Sequence, residues 1–285
     1  MAAVCGGIAP MARIERTDTL RPVTDQQPIF IPDGGLLIPQ PEAAGPWFPG
    51  VQHGGAIAAL VARAVEVVPS SVPMVTTRRS VDMSRRVPMG PTKVETDVVR
   101  DGLRLQAVEC RYVVDGETVG RASAMRVRES TGISPPIDGR PGDEALDSPA
   151  SYPTYDSPFL NGITGFFKTF EGRQRVGEAD HSGFGTMWMR ATQPLVAGEP
   201  NDPRVMVAAV ADMMPSGDYG MDYEKYISIN ADLVVSLARP PEGEWLAYRS
   251  RVRGEGNGYG QADATLYDER GFVGRALKSL LVDLR

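Results

Sequence analysis

The tetrapeptide Val119-Gly120-Arg121-Ala122 occurs again as Val273-Gly274-Arg275-Ala276, 154 positions later. Asp82 and Asp232, at matching places in the β-rich segments that precede it, lie 150 apart. Two markers at nearly one spacing read as a single fold duplicated within the chain. At 285 residues the chain is long enough for two such units, each with a proper core.

Each copy opens on a short apolar helix and continues into strands. Between residues 56 and 68 only Arg63 and Glu66 are polar, so the helix predicted there is buried on nearly every face. It is too short to cross a bilayer, which takes about 20 apolar residues. Strands are predicted over 74–83, 92–100, 103–114 and 118–127, with Asp101-Gly102 and Asp115-Gly116 as hairpin turns. The second copy repeats the order. A helix over 205–214 precedes one continuous β-run over 227–237, then strands over 245–253, 259–267 and 272–282. Residues 166–170 and 185–190 also read as strands, with His181 on an exposed turn between them. Ahead of the first helix, residues 29–31 are extended and 34–50 form a loop carrying Trp47-Phe48. Those aromatics either plug one end of the core or line a pocket mouth, which makes Trp47 a candidate substrate contact. The division that follows is an N-terminal unit over 26–130, a Pro- and Gly-rich linker over 131–159 and a C-terminal unit over 160–285.

Composition removes several function classes. A formal charge of −6 with no strongly basic domain argues against nucleic acid as a partner. Cys5 and Cys110 do not make a disulfide framework, and residues 1–16 lack the basic-then-apolar order of a signal peptide, so a cytoplasmic setting is expected. With His53 and His181 the only histidines, and no CxxC or HExxH, neither metal nor other cofactor is expected.

A long central helix wrapped by an antiparallel sheet, occurring twice, resembles the α+β double hotdog. Gln52-His53-Gly54-Gly55 at the first helix start, residues 207–212 of the second helix ending in Asp212, Asn230-Ala231-Asp232 and Arg239-Pro240 are similar to the type II acyl-CoA thioesterases. The resemblance runs from about Phe30 to the C-terminus and implies an acyl-CoA substrate, a site shared by the two units, and no cofactor. It also admits a homo-oligomer, since exposed sheet edges of hotdog units pair between chains. The family's helix acid falls on Asp212 and its strand hydroxyl or amide on Asn230. Its glutamine falls on or beside Lys278, a departure: the lysine either pairs with Asp212 or points away while Ser279 faces inward.

The residues argue the same chemistry on their own. Thioester hydrolysis needs a donor for the developing oxyanion, a carboxylate that activates water or attacks, and a polar group to hold that water. No Ser, Thr, Asp or Asn precedes the first apolar run, so the amide of Gly55, assisted by Gly54, is the expected donor. Asp212 is the only acid between residues 205 and 215, among neighbours fit for burial. Asn230 would hold water or the carboxylate, and His53 would donate to the carbonyl or shape the helix entry. The first helix has no inner acid and the second has no Gly-Gly start, so the halves complement each other and leave one competent site per chain. Arg78, Arg79, Arg85 and Arg86 are either phosphate contacts for coenzyme A or solvated charge. The readings left open are an acyl-thioester binding protein without catalysis, and a hotdog hydratase or dehydratase built on a His–acid pair.

Overall fold

The structure, a computed structural model, describes residues 27–133, 135, 137, 145–155, 164–175, 183–214 and 225–285. His181 lies outside them.

The first unit runs β1 (Phe30–Asp33), β2 (Leu36–Pro39), α1 (Gly54–Glu66), β3 (Met74–Asp82), β4 (Thr92–Asp101), β5 (Leu105–Val114) and β6 (Glu117–Arg128). The second runs β7 (Phe170–Gln174), β8 (Phe184–Ala191), α2 (Pro203–Asp212), β9 (Tyr226–Asn230), β10 (Asp232–Leu237), β11 (Leu246–Arg253), β12 (Tyr259–Asp268) and β13 (Gly271–Leu284). Among the described residues all thirteen strands belong to one antiparallel sheet in the order β1-β2-β4-β5-β6-β3-β10-β13-β12-β11-β8-β7, with β9 added beside β13. The sheet wraps both helices. Ala56, Ala58, Ala59 and Ala62 of α1 and Ala208, Ala209 and Ala211 of α2 are all buried, small enough to let the two helices pack closely inside it.

The sequence repeat has a geometric counterpart. β3 and β10 join the two halves, and Asp82 is the register partner of Asp232. One step on, the Met83 amide donates to the Ala231 carbonyl at 2.9 Å. Residues related by the 150-residue spacing therefore face one another at the seam, as a two-fold axis through that point requires. On one side of the axis the seam is zipped, Asp82 to Arg78 against Asp232 to Ser236. On the other side the axis would set 84–86 against 228–230, but the strands part. The Val87 carbonyl instead accepts from the Gln52 amide at 2.8 Å, and Pro88 bridges to Val51. The gap left behind is the cavity described below.

Four local readings change. The run over 227–237 is broken at Ala231, because Asn230 pairs with Leu280 while Val234 pairs with Leu277. Three residues thus face two, a bulge of the kind that re-aims a side chain beside a site. Residues 34–50 hold a strand: Gly34 and Gly35, at φ 55° and 85°, turn β1 tightly into β2. Phe166–Thr169 is a 3-10 turn rather than a strand. A strand would send Phe166 and Phe167 to opposite faces, whereas the turn brings both rings to His53. Within the expected linker, Tyr152 is buried with Trp188, Ala247 and Tyr267, and the Trp188 indole donates to the Asp147 carbonyl at 3.1 Å, so residues 145–155 pack on the C-terminal strands. Among the described residues no helix is long and apolar enough to cross a membrane.

Candidate active site

The approach to α1 is pinned before the helix begins. Gln52 is buried, its amide nitrogen donating to the Pro88 carbonyl (2.8 Å) and Thr92 hydroxyl (3.1 Å), its amide oxygen accepting from the Tyr112 hydroxyl (2.8 Å). The His53 amide donates to the Ala43 carbonyl at 2.8 Å, so the ring that follows enters the core in one orientation. Phe166 stacks on it at 5.0 Å between centroids and Phe167 meets it edge-on at 4.8 Å.

His53, rather than a Ser, Thr, Asp or Asn, is the cap of α1. Its Nδ1, at the reach of an asparagine oxygen, accepts from the Gly55 amide at 2.9 Å. That corrects the expectation for Gly55: its amide already has an acceptor. The Gly54 amide has none among the described residues, and Gly54 lines the cavity. Because Nδ1 accepts, the neutral ring carries its proton on Nε2. Burial pushes the imidazole below its ordinary 6.5, opposed by Asp212 and reinforced by Lys278.

Asp212 ends α2 with its side chain 1 % exposed. Oδ1 accepts from the Asn230 amide at 2.6 Å, and Oδ2 lies 3.4 Å from His53 Nδ1. A methyl at Gly54 would stand 2.9 Å from both carboxylate oxygens, so only glycine lets the carboxylate settle against the start of α1. There it meets the positive end of the helix.

Lys278 is fully buried, but its Nζ reaches the carbonyls of Asp212 (2.9 Å) and Met214 (2.6 Å) rather than the carboxylate. It caps the C-terminal end of α2, where a cation suits the helix dipole. Ser279 faces outward. The first half has the same device: buried Arg126 on β6 donates to the Val68 carbonyl (2.7 Å) past the end of α1 and to the Gln106 side chain (2.6 Å). The departure at Lys278 therefore has a structural cause, a cationic brace on the last strand of each half.

The cavity, about 410 Å³, is lined by exposed Arg85 and Arg86, half-buried Trp47, Phe48, Met83 and Phe167 and buried Ile57 and Met214, with His53, Gly54, Asp212 and Asn230 on its wall. The Arg86 guanidinium lies 3.5 Å over the Phe48 ring. Arg78 and Arg79 are not there. Arg78 is exposed on the opposite face of β3, and Arg79 is 2 % exposed and paired with Glu66. This second place is the symmetry counterpart of the first, where the end of α1 meets the start of α2. It is filled by ions: Arg204 bridges Glu66 (3.5 Å) and Asp202 (2.5 Å), and Asp202 caps α2. Among the described residues no three His, Cys, Asp or Glu side chains come together as metal ligands. Gln52 stands out in the sequence only as part of the Gln52-His53-Gly54-Gly55 motif, and Met83 and the Phe166–Phe167 clamp are not among the sequence-based site residues; the paired aromatics were the available signal.

Two family models match the chain, an acyl-CoA thioesterase N-terminal domain over residues 43–127 and an acyl-CoA thioesterase C-terminal domain over 141–282. The chain belongs to the acyl-CoA thioesterase family. A search of curated proteins returned no match. Among solved structures, this thioesterase-family chain is similar to a hot dog fold protein of unknown function from Alicyclobacillus acidocaldarius (18% identity, 90% of this chain and 95% of that one, TM-score 0.67). It is similar to an acyl-CoA thioesterase II, TesB2, from Mycobacterium marinum (19%, 81% and 89%, TM-score 0.60). A tesB protein from Mycobacterium avium subspecies paratuberculosis is also similar (16%, 92% and 97%, TM-score 0.61). At these identities the likeness is one of fold: the family member is a double hotdog of the α+β class.

Proposed function

We propose that the chain hydrolyses an acyl-CoA thioester to the free acid and coenzyme A, at one site per chain, in the cytoplasm. The observation that carries this reading is the Asp212 carboxylate seated against Gly54 at the positive end of a buried helix, inside a largely apolar cavity with arginines at its mouth. Asp212 activates the water and Asn230 fixes the carboxylate through Oδ1. The Gly54 amide takes the developing oxyanion, a contribution of about 3 kcal/mol to the barrier. Arg85 and Arg86 receive coenzyme A phosphates, Trp47 flanks the entry, and Lys278 holds the end of α2 so that Asp212 keeps its place. The ion cluster around Glu66 occupies the other position, which supports a single competent site. Copies of the chain pair as homo-oligomers through exposed sheet edges.

A second reading is favoured by one observation: His53 lies 3.4 Å from Asp212, the His–acid pair that a hydratase or dehydratase of enoyl or hydroxyacyl thioesters uses. One assay separates the two. A panel of acyl-CoA esters is followed with a thiol-detecting dye and by enoyl absorbance, using wild type and Asp212→Asn. Thiol release abolished by the substitution supports hydrolysis, absorbance change without thiol supports hydration, and tight binding with neither supports a binding protein.

A further inference from the structure

Among the described residues, the buried polar side chains on the cavity wall are Gln52, His53, Asp212 and Ser228. The first three are engaged: Gln52 by Pro88, Thr92 and Tyr112, His53 by the Gly55 amide, and Asp212 by Asn230. Ser228 is not. It is 4 % exposed, and its buried Oγ has no hydrogen-bond partner. Such an orphan costs stability that an alanine of nearly the same shape would not. Thr76 and Thr186 carry orphaned hydroxyls too, but neither lies on this wall. We infer that Ser228 selects the acyl group: its hydroxyl pairs with a hydroxyl or keto oxygen on the chain, so the substrate is an oxygenated acyl-CoA rather than a plain fatty one. This rests on the hydrolysis proposed above.

The strand register sets the direction. Ser228 and Asn230 pair with Val282 and Leu280 in unbroken alternation, so both side chains leave the same face of β9. Asn230 reaches Asp212 on that face. Ser228 therefore stands on the side of the sheet where the chemistry is proposed, about 7 Å further along the strand. That spacing takes it past the thioester itself. Across the gap, Arg85 and Arg86, proposed to meet the coenzyme A phosphates, are exposed. Ser228 is buried, and the neighbouring lining residues Met213 and Met214 are buried with it, which is the setting of an acyl chain rather than of a phosphate.

In such a wall one polar group discriminates. Apolar side chains accept any chain of the right size, whereas a placed hydroxyl is satisfied only by a chain that brings it a partner. A serine hydroxyl both donates and accepts, so it suits a keto oxygen as donor and a hydroxyl in either sense.

Esters of equal chain length test this: plain saturated acyl-CoAs, and hydroxy and keto counterparts with the oxygen at successive carbons. Thiol release is followed for wild type and Ser228→Ala. In wild type, one placement of the oxygen should raise kcat/KM over the plain ester by about tenfold, the scale of one neutral hydrogen bond. Ser228→Ala should bring that ratio close to one, and its thermal midpoint should not fall, because an orphaned group is removed. A wild type indifferent to the oxygen at every position overturns the proposal, as does a preference that Ser228→Ala retains. Loss by one common factor for plain and oxygenated esters also overturns it, since the hydroxyl then meets the pantetheine amides that all of them carry. Should Ser228→Ala not fold, Ser228→Cys, close in shape with only a weak donor, takes its place. Calorimetry with non-hydrolysable thioether analogues of the same pairs reads the preference as a ratio of Kd values without turnover. If wild type releases thiol from no ester, the hydrolysis reading fails instead, and the Kd ratios of wild type and variant still decide the role of Ser228.

Discussion

At Gly54 a single hydrogen separates an ordinary helix start from a seat for a carboxylate. Gly54→Ala places a methyl 2.9 Å from both oxygens of Asp212, which Asn230 holds on the far side. The side chain must swing. Stability should change by only about 1 kcal/mol, because a flexible side chain rather than backbone gives way. The proposed hydrolysis should fall on the order of 100-fold in kcat, since displacements near 1 Å cost that much. Denaturant titration and steady-state kinetics on the same preparation check the split. His53 makes a second prediction at this scale. Its folded-state affinity for protons is depressed, so between pH 6.5 and that lower value the unfolded chain binds more protons than the folded one. Its contribution to stability is complete above pH 6.5 and is lost as the pH falls through the depressed value. The thermal midpoint of wild type should drop over that range, and His53→Asn should remove this part of the drop.

Elements were legible where period and punctuation agreed. The alternation around Val94, Thr96 and Val98 and the turn at Asp115-Gly116 give β4 through β6 to within two residues of their observed ends. Two of the failures share a cause: each depends on a partner distant in sequence. The break at Ala231 follows from the bulge against β13, where Asn230 pairs with Leu280 and Val234 with Leu277, and the turn at Phe166 follows from His53 more than 100 residues away. The cap at His53 was missed because histidine is rarely counted among caps, though its Nδ1 has the reach. Lys278 illustrates the same point in the site. Sequence marked the position as unusual, but only the folded chain reveals that it braces a helix end, as Arg126 does in the other half. Lys278→Met should therefore unfold more easily by about 2 kcal/mol, since it strands buried carbonyls of Asp212 and Met214. Arg126→Met should cost a similar amount through Val68 while sparing Asp212, and its kcat should stay near wild type. Equal losses of kcat in both variants would refute the assignment of the two braces to separate halves.

The molecule as a whole was the most legible level, because a duplication is written directly into the chain. The 150-residue spacing of Asp82 and Asp232 becomes a register pair at the seam. What the spacing could not tell is that the two symmetry-related crossings are filled differently. One crossing of helix end and helix start holds His53, Gly54 and Asp212 beside a cavity, and its counterpart holds Glu66, Arg79, Asp202 and Arg204 as a closed ion cluster. Calorimetry with a non-hydrolysable acyl-CoA analogue should accordingly give one ligand per chain, and two would contradict the closed second position.

The half-zipped seam has one more implication. Two polypeptides made by interrupting the chain between residues 133 and 145 would each carry an incomplete set: one the glycine-started helix, the other the acid and its amide partner. Co-expressed, they share the β3–β10 edge as their means of recognising each other. Thiol release would then report their reunion, with neither fragment turning over by itself.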